Sequence, residues 1–122
     1  MRMILVADDQ PLMRSVVRAV LSTNPAYQVH EAENGAQALA LAREHRPDLV
    51  LLDVEMPEMT GPEACMLLKG SPETRDIPVL LMSGRELGDV QGYALMARAD
   101  DFFRKPFMAR ALLGRMKELL GE

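Results

Sequence analysis

The sequence predicts an α/β fold in which a doubly wound, five-stranded parallel sheet is covered by helices on both faces. Three short apolar runs without polar alternation, Met3–Ala7, Leu49–Leu52 and Val79–Met82, are typical of strands buried on both sides. Stretches with helical periodicity separate these runs. Neither a repeat nor a linker interrupts the 122 residues, which predicts one domain spanning residues 1–122.

The first half of the chain alternates strand and helix. After the first strand, apolar residues recur at four-residue spacing and predict a helix with a stripe at Leu12, Val16 and Val20, beside Met13, Val17 and Leu21. A weaker strand is predicted at Tyr27–Ala32. The second helix is predicted at Gly35–His45, with Asn34 as its N-cap and Gln37 three residues later.

The second half repeats the alternation. Thr60 and Glu63 form a capping-box sequence that opens the third helix. Ser83 and Glu86 form another, opening a fourth helix that contains two glycines, each costing about 1 kcal/mol relative to alanine. A fifth strand is predicted at Asp101–Phe103, and a fifth helix near Phe107–Leu120.

Composition and charge exclude several classes of function. The chain has 18 acidic and 14 basic side chains, and this acidic excess predicts that the domain itself does not bind nucleic acid. The single cysteine, Cys65, excludes an internal disulfide and a cysteine-rich zinc site, and it fits a reducing, cytoplasmic compartment. No apolar run approaches the ~18 residues of a membrane span, so no membrane association is predicted.

Polar side chains stand where the predicted strands end. Asp8 and Asp9 follow the first strand, Asp53 the third, Ser83 the fourth and Lys105 the fifth. Parallel strands end at one edge of the sheet, where α/β folds bind ligands, so these groups should converge. Neighbouring carboxylates repel one another unless a cation compensates them, and Mg²⁺ binds carboxylate, water and phosphate oxygens. The set predicts a phosphoryl-binding site in which one carboxylate is the nucleophile.

The same residues carry a resemblance to a known family. In chain order they are Asp8-Asp9, Asp53-x-x-Met56-Pro57-x-x-x-Gly61, Ser83-Gly84 and Ala99-Asp100-Asp101-Phe102-x-x-Lys105-Pro106-Phe107. Over its whole length the chain resembles the response-regulator receiver domain (CheY-like) of two-component signal transduction. The resemblance implies a flavodoxin-like strand order 2-1-3-4-5 with five helices, and a cis peptide bond before Pro106.

The resemblance also implies the chemistry of the acidic residues. Asp53 would accept a phosphoryl group from the phosphohistidine of a sensor histidine kinase or a phosphotransfer protein, in a reaction that requires Mg²⁺ (or Mn²⁺). Asp9 and Asp53 would bind the metal, with Asp8 acting largely through water and the backbone carbonyl of Glu55 as a further ligand. Such a domain is not a conventional enzyme, although it promotes its own phosphorylation and autodephosphorylation.

The remaining site residues would bind the phosphoryl group and respond to it. Lys105 and Ser83 would bind the phosphoryl oxygens, and Phe102 would turn inward as the switch aromatic. The face formed by the fourth helix, the fifth strand and the fifth helix would then change its preference for partners. The implied partner is a downstream effector protein or an output domain outside this chain, and the domain would be a monomer or a phosphorylation-dependent dimer.

Two positions depart from the family pattern, and one pair suggests a hypothesis. Phe102 stands where the family often has tyrosine, and Arg98 where it commonly has glycine. Glu55 and Arg85 each lie two residues beyond a site residue and carry opposite charges. We hypothesise that they pair across the mouth of the site and slow hydrolysis of the acyl phosphate.

Other interpretations of these residues remain open at the level of sequence. Asp8 and Asp9 are also suitable caps for the first helix, and the Ser83 hydroxyl for the fourth. A phosphohydrolase that forms an aspartyl-phosphate would need a second aspartate two residues after Asp53, where the chain has Glu55. A scaffold that binds partners without phosphorylation is the third interpretation, and it leaves the complete set of acids, serine and lysine unexplained.

Overall fold

Five strands form one parallel sheet in the computed structural model, which describes residues 1–84 and 98–122. The order across the sheet is β2-β1-β3-β4-β5, and each neighbouring pair is parallel. This confirms the predicted sheet and its strand order. The strands are β1 (Arg2–Ala7), β2 (Tyr27–Ala32), β3 (Leu49–Asp53), β4 (Val79–Ser83) and β5 (Asp101–Arg104).

Four helices lie within the described residues: α1 (Pro11–Leu21), α2 (Gly35–His45), α3 (Gly61–Lys69) and α4 (Ala109–Leu120). The helix predicted after Ser83 lies outside the described residues, so α4 corresponds to the fifth helix predicted from the sequence. None of the helices in the described ranges is long and apolar enough to cross a bilayer.

The predicted helix starts are confirmed by their hydrogen bonds. The Asn34 side chain accepts from the backbone N–H of Gln37, and Gln37 in turn accepts from the backbone N–H of Glu33. Thr60 and Glu63 exchange both bonds of a capping box at the start of α3. These caps satisfy backbone donors that have no partner inside the helix.

Two apolar clusters sandwich the sheet. One lies under α2 and α3 and the other under α1 and α4. All five residues of β3 are buried, as expected for a central strand covered on both faces. The first cluster includes Leu5, Leu52, Leu81, Ala38, Ala42, Ala64 and Leu68, and the second includes Val6, Leu51, Met82, Val17, Leu21, Leu112 and Met116.

Of the two adjacent apolar rows predicted for α1, the structure buries the row with Val17 and Leu21 and leaves most of the row with Leu12 and Val16 exposed. Leu12 and Val16 are 76% and 46% exposed, whereas Val17 and Leu21 are buried against β1 and β2. Apolar residues occur on more than one side of this helix, so their spacing does not decide which side meets the sheet. The orientation of α1 is decided instead by its packing on the two strands.

Candidate functional site

Three carboxylates meet at the carboxyl edge of the sheet. Asp8 and Asp9 directly follow β1, and Asp53 is the last residue of the neighbouring strand β3. Carboxylate oxygens of all three lie within 4.8 Å of one another. Asp8 is 0% exposed and Asp53 is 6% exposed, while Asp9 faces solvent. The structure therefore brings together the three acids that the sequence placed at strand ends.

Lys105, which follows β5, reaches across the edge to two of these acids. Its Nζ lies 2.9 Å from Asp8 Oδ2 and 3.1 Å from Asp53 Oδ1. Burial opposes the charged ammonium, but the hydrogen bond to Asp8 and the charge of Asp53 outweigh it and raise the pKa of Lys105. The lysine is therefore a positive charge held between two buried carboxylates. The Lys105–Pro106 peptide bond is cis, as the resemblance implies.

Asp53 sits in a strongly perturbed environment. Removal from water is the largest influence and, together with the neighbouring charges of Asp8 and Asp9, it outweighs the attraction of Lys105. The net effect raises the pKa of Asp53 to about 6. The raised pKa means that a negative charge on Asp53 is unfavourable in this environment, and a bound cation would stabilise it. Perturbed groups of this kind are often found where chemistry takes place.

Asp8 is fixed through each of its polar groups. Its backbone N–H donates to the carbonyl of Ala32 at 3.1 Å, and its Oδ1 accepts from the backbone N–H of Gln10 at 2.9 Å. Its carbonyl oxygen accepts from Arg14 Nη1 at 2.6 Å, and its Oδ2 is bound by Lys105. The N-cap residue of α1 is Gln10, which makes no side-chain cap bond. Asp8 thus supports the start of this helix while its other oxygen faces the site.

The backbone of Asp53 is held by the start of α3. The Gly61 N–H donates to the carbonyl of Val54 at 3.1 Å. A Cβ atom on Gly61 would overlap the carbonyl oxygen of Asp53. Only glycine therefore permits α3 to pack this closely against the end of β3.

Ser83 and Phe102 are further predicted site residues that the structure describes. Ser83 is fully buried at the end of β4, one residue beyond Met82, the register partner of Asp53. Phe102 on β5 is partly buried and packs against the cluster under α2 and α3, whereas Phe103 packs against the opposite cluster. Arg85, and with it the hypothesis of a pair with Glu55, lies outside the described residues.

Two cavities open beside the acids, and Asp9 and Glu55 line both. The cavity above Asp53 has a volume of about 280 Å³ and is lined by Asp9, Gln10, Asp53, Glu55, Gly84 and Lys105. The second has about 440 Å³ and is lined by Asp9, Val54, Glu55, Met56, Pro57, Thr60 and Pro62. The smaller one offers carboxylates and an ammonium to the same space, so it suits a cation together with an anionic group.

The donor set fits Mg²⁺. The ligands that this ion prefers are oxygens, supplied by one or two carboxylates with water and phosphate. Asp9 and Asp53 both line the smaller cavity and offer such oxygens to it, and the buried carboxylate of Asp8 lies within 4.8 Å of theirs. This supports the sequence prediction at the level of a divalent-cation site.

Sequence reasoning missed Arg14 as a contributor to the site, and it included Gly61 in the family motif without giving it a structural role. Neither carries out chemistry, since both act on the main chain of site aspartates. A weak signal for Arg14 existed, because an arginine five residues after Asp9 falls in the first turn of the helix that follows. For Gly61, the signal was its position at the first residue of a capped helix, where glycine has no conformational advantage and so indicates a close approach.

Comparison with known proteins agrees with this site. The family model of the response regulator receiver domain matches residues 4–117. Response regulator MprA of Mycobacterium sp. (strain KMS) is 41% identical over 117 residues, which make up 96% of this chain and 50% of that protein. Response regulator MprA of Mycobacterium tuberculosis (strain ATCC 25618 / H37Rv) is 40% identical over the same share. The chain thus spans about half the length of these curated relatives.

Solved structures show the same architecture. The signal receiver domain of a signal transduction histidine kinase from Syntrophus aciditrophicus superposes with a TM-score of 0.91 at 35% identity, covering 99% of this chain and 91% of that one. The receiver domain of a sensor histidine kinase from Pseudomonas aeruginosa PAO1 has a TM-score of 0.91 at 26% identity, covering 99% and 98%. That structure has a magnesium ion coordinated in its active site cleft.

A doubly wound sheet with three acids and a lysine at its carboxyl edge is the arrangement of a phosphoacceptor module in two-component signalling. The chain belongs to the response regulator receiver domain family.

Proposed function

We propose that Asp53 is the phosphoacceptor of this receiver domain, with residues 1–122 forming one receiver unit. The donor is a phosphohistidine on a sensor histidine kinase or a phosphotransfer protein, and the reaction depends on Mg²⁺. The observation that carries the proposal is the position of Asp53, which shares Lys105 Nζ with Asp8 and lines a cavity with Asp9. A nucleophile, a cation site and a positive charge thus border the same space.

Asp9 and Asp53 would hold Mg²⁺ directly, together with the backbone carbonyl of Glu55. Both oxygens of Asp8 already accept hydrogen bonds, from Gln10 and Lys105. This favours a contact between Asp8 and the ion through water rather than directly. When bound, the ion supplies charge neutralisation for the phosphoryl oxygens and for the crowded carboxylates.

The transfer itself needs little from the protein beyond position and charge. A carboxylate oxygen of Asp53 forms the new P–O bond while the P–N bond of the donor breaks, and the departing imidazole nitrogen takes up a proton. Lys105 is already 3.1 Å from Asp53, so its ammonium can pair with a phosphoryl oxygen without a large movement. Ser83, buried at the end of the next strand, would supply a hydroxyl to a phosphoryl oxygen.

The signal would leave the site through Phe102, which lies one strand beyond Ser83 and is only partly buried. A contact between Ser83 and the phosphoryl group would open space into which the ring turns. The surface around β5 and α4 would then change, and an effector protein or an output domain would read that change. Full-length relatives twice as long as this chain are compatible with an output domain. A cytoplasmic location fits the free thiol of Cys65.

The proposal is tested with a small acyl phosphate as the donor and Mg²⁺ in the buffer. We expect the intact protein to gain the mass of one phosphoryl group, and peptide mapping to place it on Asp53. Asp53→Asn should gain none, and chelation of the metal should abolish the reaction. Asp48→Asn is a matched control, because this partly exposed aspartate lies before β3, outside the acidic cluster.

Two outcomes would contradict the proposal. Absence of any modification in the wild type, with no binding of beryllofluoride, would favour a scaffold that acts without phosphorylation. Continuous turnover of phosphate monoesters would favour a phosphohydrolase.

A further inference from the structure

Arg14, in the first turn of α1, is bonded to the peptide that joins the first two site aspartates. Its Nη1 donates to the main-chain carbonyl oxygen of Asp8 at 2.6 Å, and its Nε donates to Glu31 Oε1 at 3.1 Å. The side chain is 13% exposed, so the guanidinium lies largely under the surface. Arg14 therefore connects β2, through Glu31, with the turn that presents Asp8 and Asp9.

This bond bears most directly on Asp9. The carbonyl of Asp8 and the N–H of Asp9 belong to one planar peptide group. A fixed Asp8 oxygen therefore fixes the plane from which the Asp9 side chain departs. The Asp9 carboxylate itself is exposed, and no hydrogen bond or ion pair within residues 1–84 and 98–122 holds it. Within the described residues, the backbone is therefore the part of Asp9 that the structure holds in place.

We propose that Arg14 is a positioning residue of the magnesium site, which aims the Asp9 carboxylate at the metal through the peptide between Asp8 and Asp9. The inference rests on the proposed function, in which Asp9 binds the ion directly. Glu31 orients the guanidinium and offsets its positive charge. The contribution of Arg14 is therefore one of geometry rather than of long-range attraction or repulsion of the ion.

Arg18, one helical turn later, provides a matched control. Its Nε donates to Glu31 Oε2 at 2.7 Å, and its Nη2 donates to the carbonyl of Val29 at 3.2 Å. It shares Glu31 with Arg14 but donates no hydrogen bond to Asp8 or Asp9. Like Arg14→Met, Arg18→Met removes one positive charge and one hydrogen bond to Glu31, but it leaves the hydrogen bond from Arg14 to the Asp8 carbonyl in place.

The experiment measures Mg²⁺ affinity by isothermal titration calorimetry on the intact chain. We expect Arg14→Met to raise the dissociation constant by about 10-fold or more, the usual effect of losing a residue that orients a metal ligand. Arg18→Met should stay within about twofold of the wild type, because it leaves the metal ligands and their supports intact. Phosphorylation by an acyl phosphate adds a second readout. In Arg14→Met, the Mg²⁺ concentration for half-maximal rate should rise about as much as the dissociation constant, while the rate at saturating Mg²⁺ changes much less.

Two further variants separate positioning from a general structural or charge effect. Lysine at position 14 keeps the charge but lacks the rigid planar fork that holds the Asp8 carbonyl and Glu31 in fixed directions through separate nitrogens. We expect Arg14→Lys to bind Mg²⁺ as weakly as Arg14→Met. In an Asp9→Asn background, Arg14→Met should cause no additional loss of affinity, because the two changes act through one carboxylate.

The results decide between clear alternatives. Unchanged affinity in Arg14→Met, full recovery in Arg14→Lys, or additive losses with Asp9→Asn would each overturn the inference while leaving the proposed function intact. Failure of the wild type to bind Mg²⁺ and to modify Asp53 would instead remove the proposed function itself. Circular dichroism checks that each variant is folded. If Arg14→Met is not, the lysine variant and its Asp9→Asn double variant carry the test.

Discussion

Replacing Asp53 by asparagine should stabilise the metal-free protein, and the gain should grow with pH. The carboxyl group is buried beside two other acids, and its pKa is raised to about 6 from the ordinary 3.8. A raised carboxyl pKa means that the folded state holds the proton more tightly than the unfolded chain. Stability from this group is therefore fully present below pH 3.8 and is lost as the pH rises through 6. Asparagine has nearly the same shape and no proton to lose.

The magnitude follows from the two pKa values. Their separation corresponds to about 3 kcal/mol when both states are fully ionised. At pH 7.5 the wild type should bear nearly all of this cost, whereas at pH 4.5 the same relation gives about 1 kcal/mol. The free energy of unfolding of Asp53→Asn, relative to the wild type, should thus increase by about 2 kcal/mol between pH 4.5 and pH 7.5.

Urea unfolding followed by far-ultraviolet circular dichroism, with a chelator present, measures this difference. For a slope of about 2 kcal/mol per molar urea, the midpoint of Asp53→Asn should exceed that of the wild type by roughly 1.5 M at pH 7.5. Glu44→Gln is the control, since this carboxylate is 70% exposed and lies outside the acidic cluster. Its midpoint should follow the wild type at both pH values.

A gain that is the same at pH 4.5 and pH 7.5 would refute the reasoning, because a pH-independent effect comes from packing and not from ionisation. A net loss of stability at pH 7.5 would refute it as well. Saturating Mg²⁺ provides an internal check under the proposed function. The ion stabilises the state that binds it, so the advantage of Asp53→Asn over the wild type should shrink or reverse.

Other substitutions test the packing around the site. Gly61→Ala forces a methyl group against the Asp53 carbonyl and should lower the free energy of unfolding by about 2–3 kcal/mol. Gly114→Ala in α4 meets no heavy atom within 4 Å and should raise the free energy of unfolding by about 0.5–1 kcal/mol. Urea unfolding measures both changes. Arg98 has a left-handed backbone with φ of 59°, so Arg98→Gly should stabilise by about 1 kcal/mol in the same assay, and Arg98→Val should not. Burial raises the pKa of the Cys65 thiol to about 12, so a thiol-reactive disulfide reagent at pH 8 should label the protein in urea but not in the native state.

The parts of the fold that the sequence predicted are those decided by local pattern. β3 lacks polar alternation because both of its faces are covered, and this made its run of apolar residues recognisable. The caps at Asn34 and Thr60 were also predictable, since each depends on residues three apart in the chain. The buried face of α1 was not, because apolar residues such as Leu12 lie outside the packed stripe. That choice depends on contact with β1 and β2, which local spacing does not contain.

Part of the candidate site was also predictable from the sequence, and part was not. The convergence of Asp8, Asp9 and Asp53 was predictable because parallel strands end at one edge and neighbouring ends lie side by side. The bridge that Lys105 makes between Asp8 and Asp53 depends on how far its side chain extends across the edge. The bond from Arg14 to the Asp8 carbonyl depends on a carboxylate from β2 as well. The sequence placed Lys105 at this edge and offered a weak signal for Arg14, but the partners of both side chains arise from tertiary structure and were not predicted.

The site aspartates are positioned mainly through their backbone, and this determines which substitutions can disturb them. Asp8 is held by hydrogen bonds to both sides of its main chain, from Arg14 and to Ala32, and Gly61 packs on the carbonyl of Asp53. Strand pairing fixes these backbones before any ligand arrives, so the geometry does not depend on bonds among the carboxylates themselves. Residues without chemistry of their own, such as Gly61 and Arg14, can therefore alter the site more than charged residues on the exposed surface nearby. A search for sequence changes that tune phosphorylation should accordingly begin with the residues that contact these backbones.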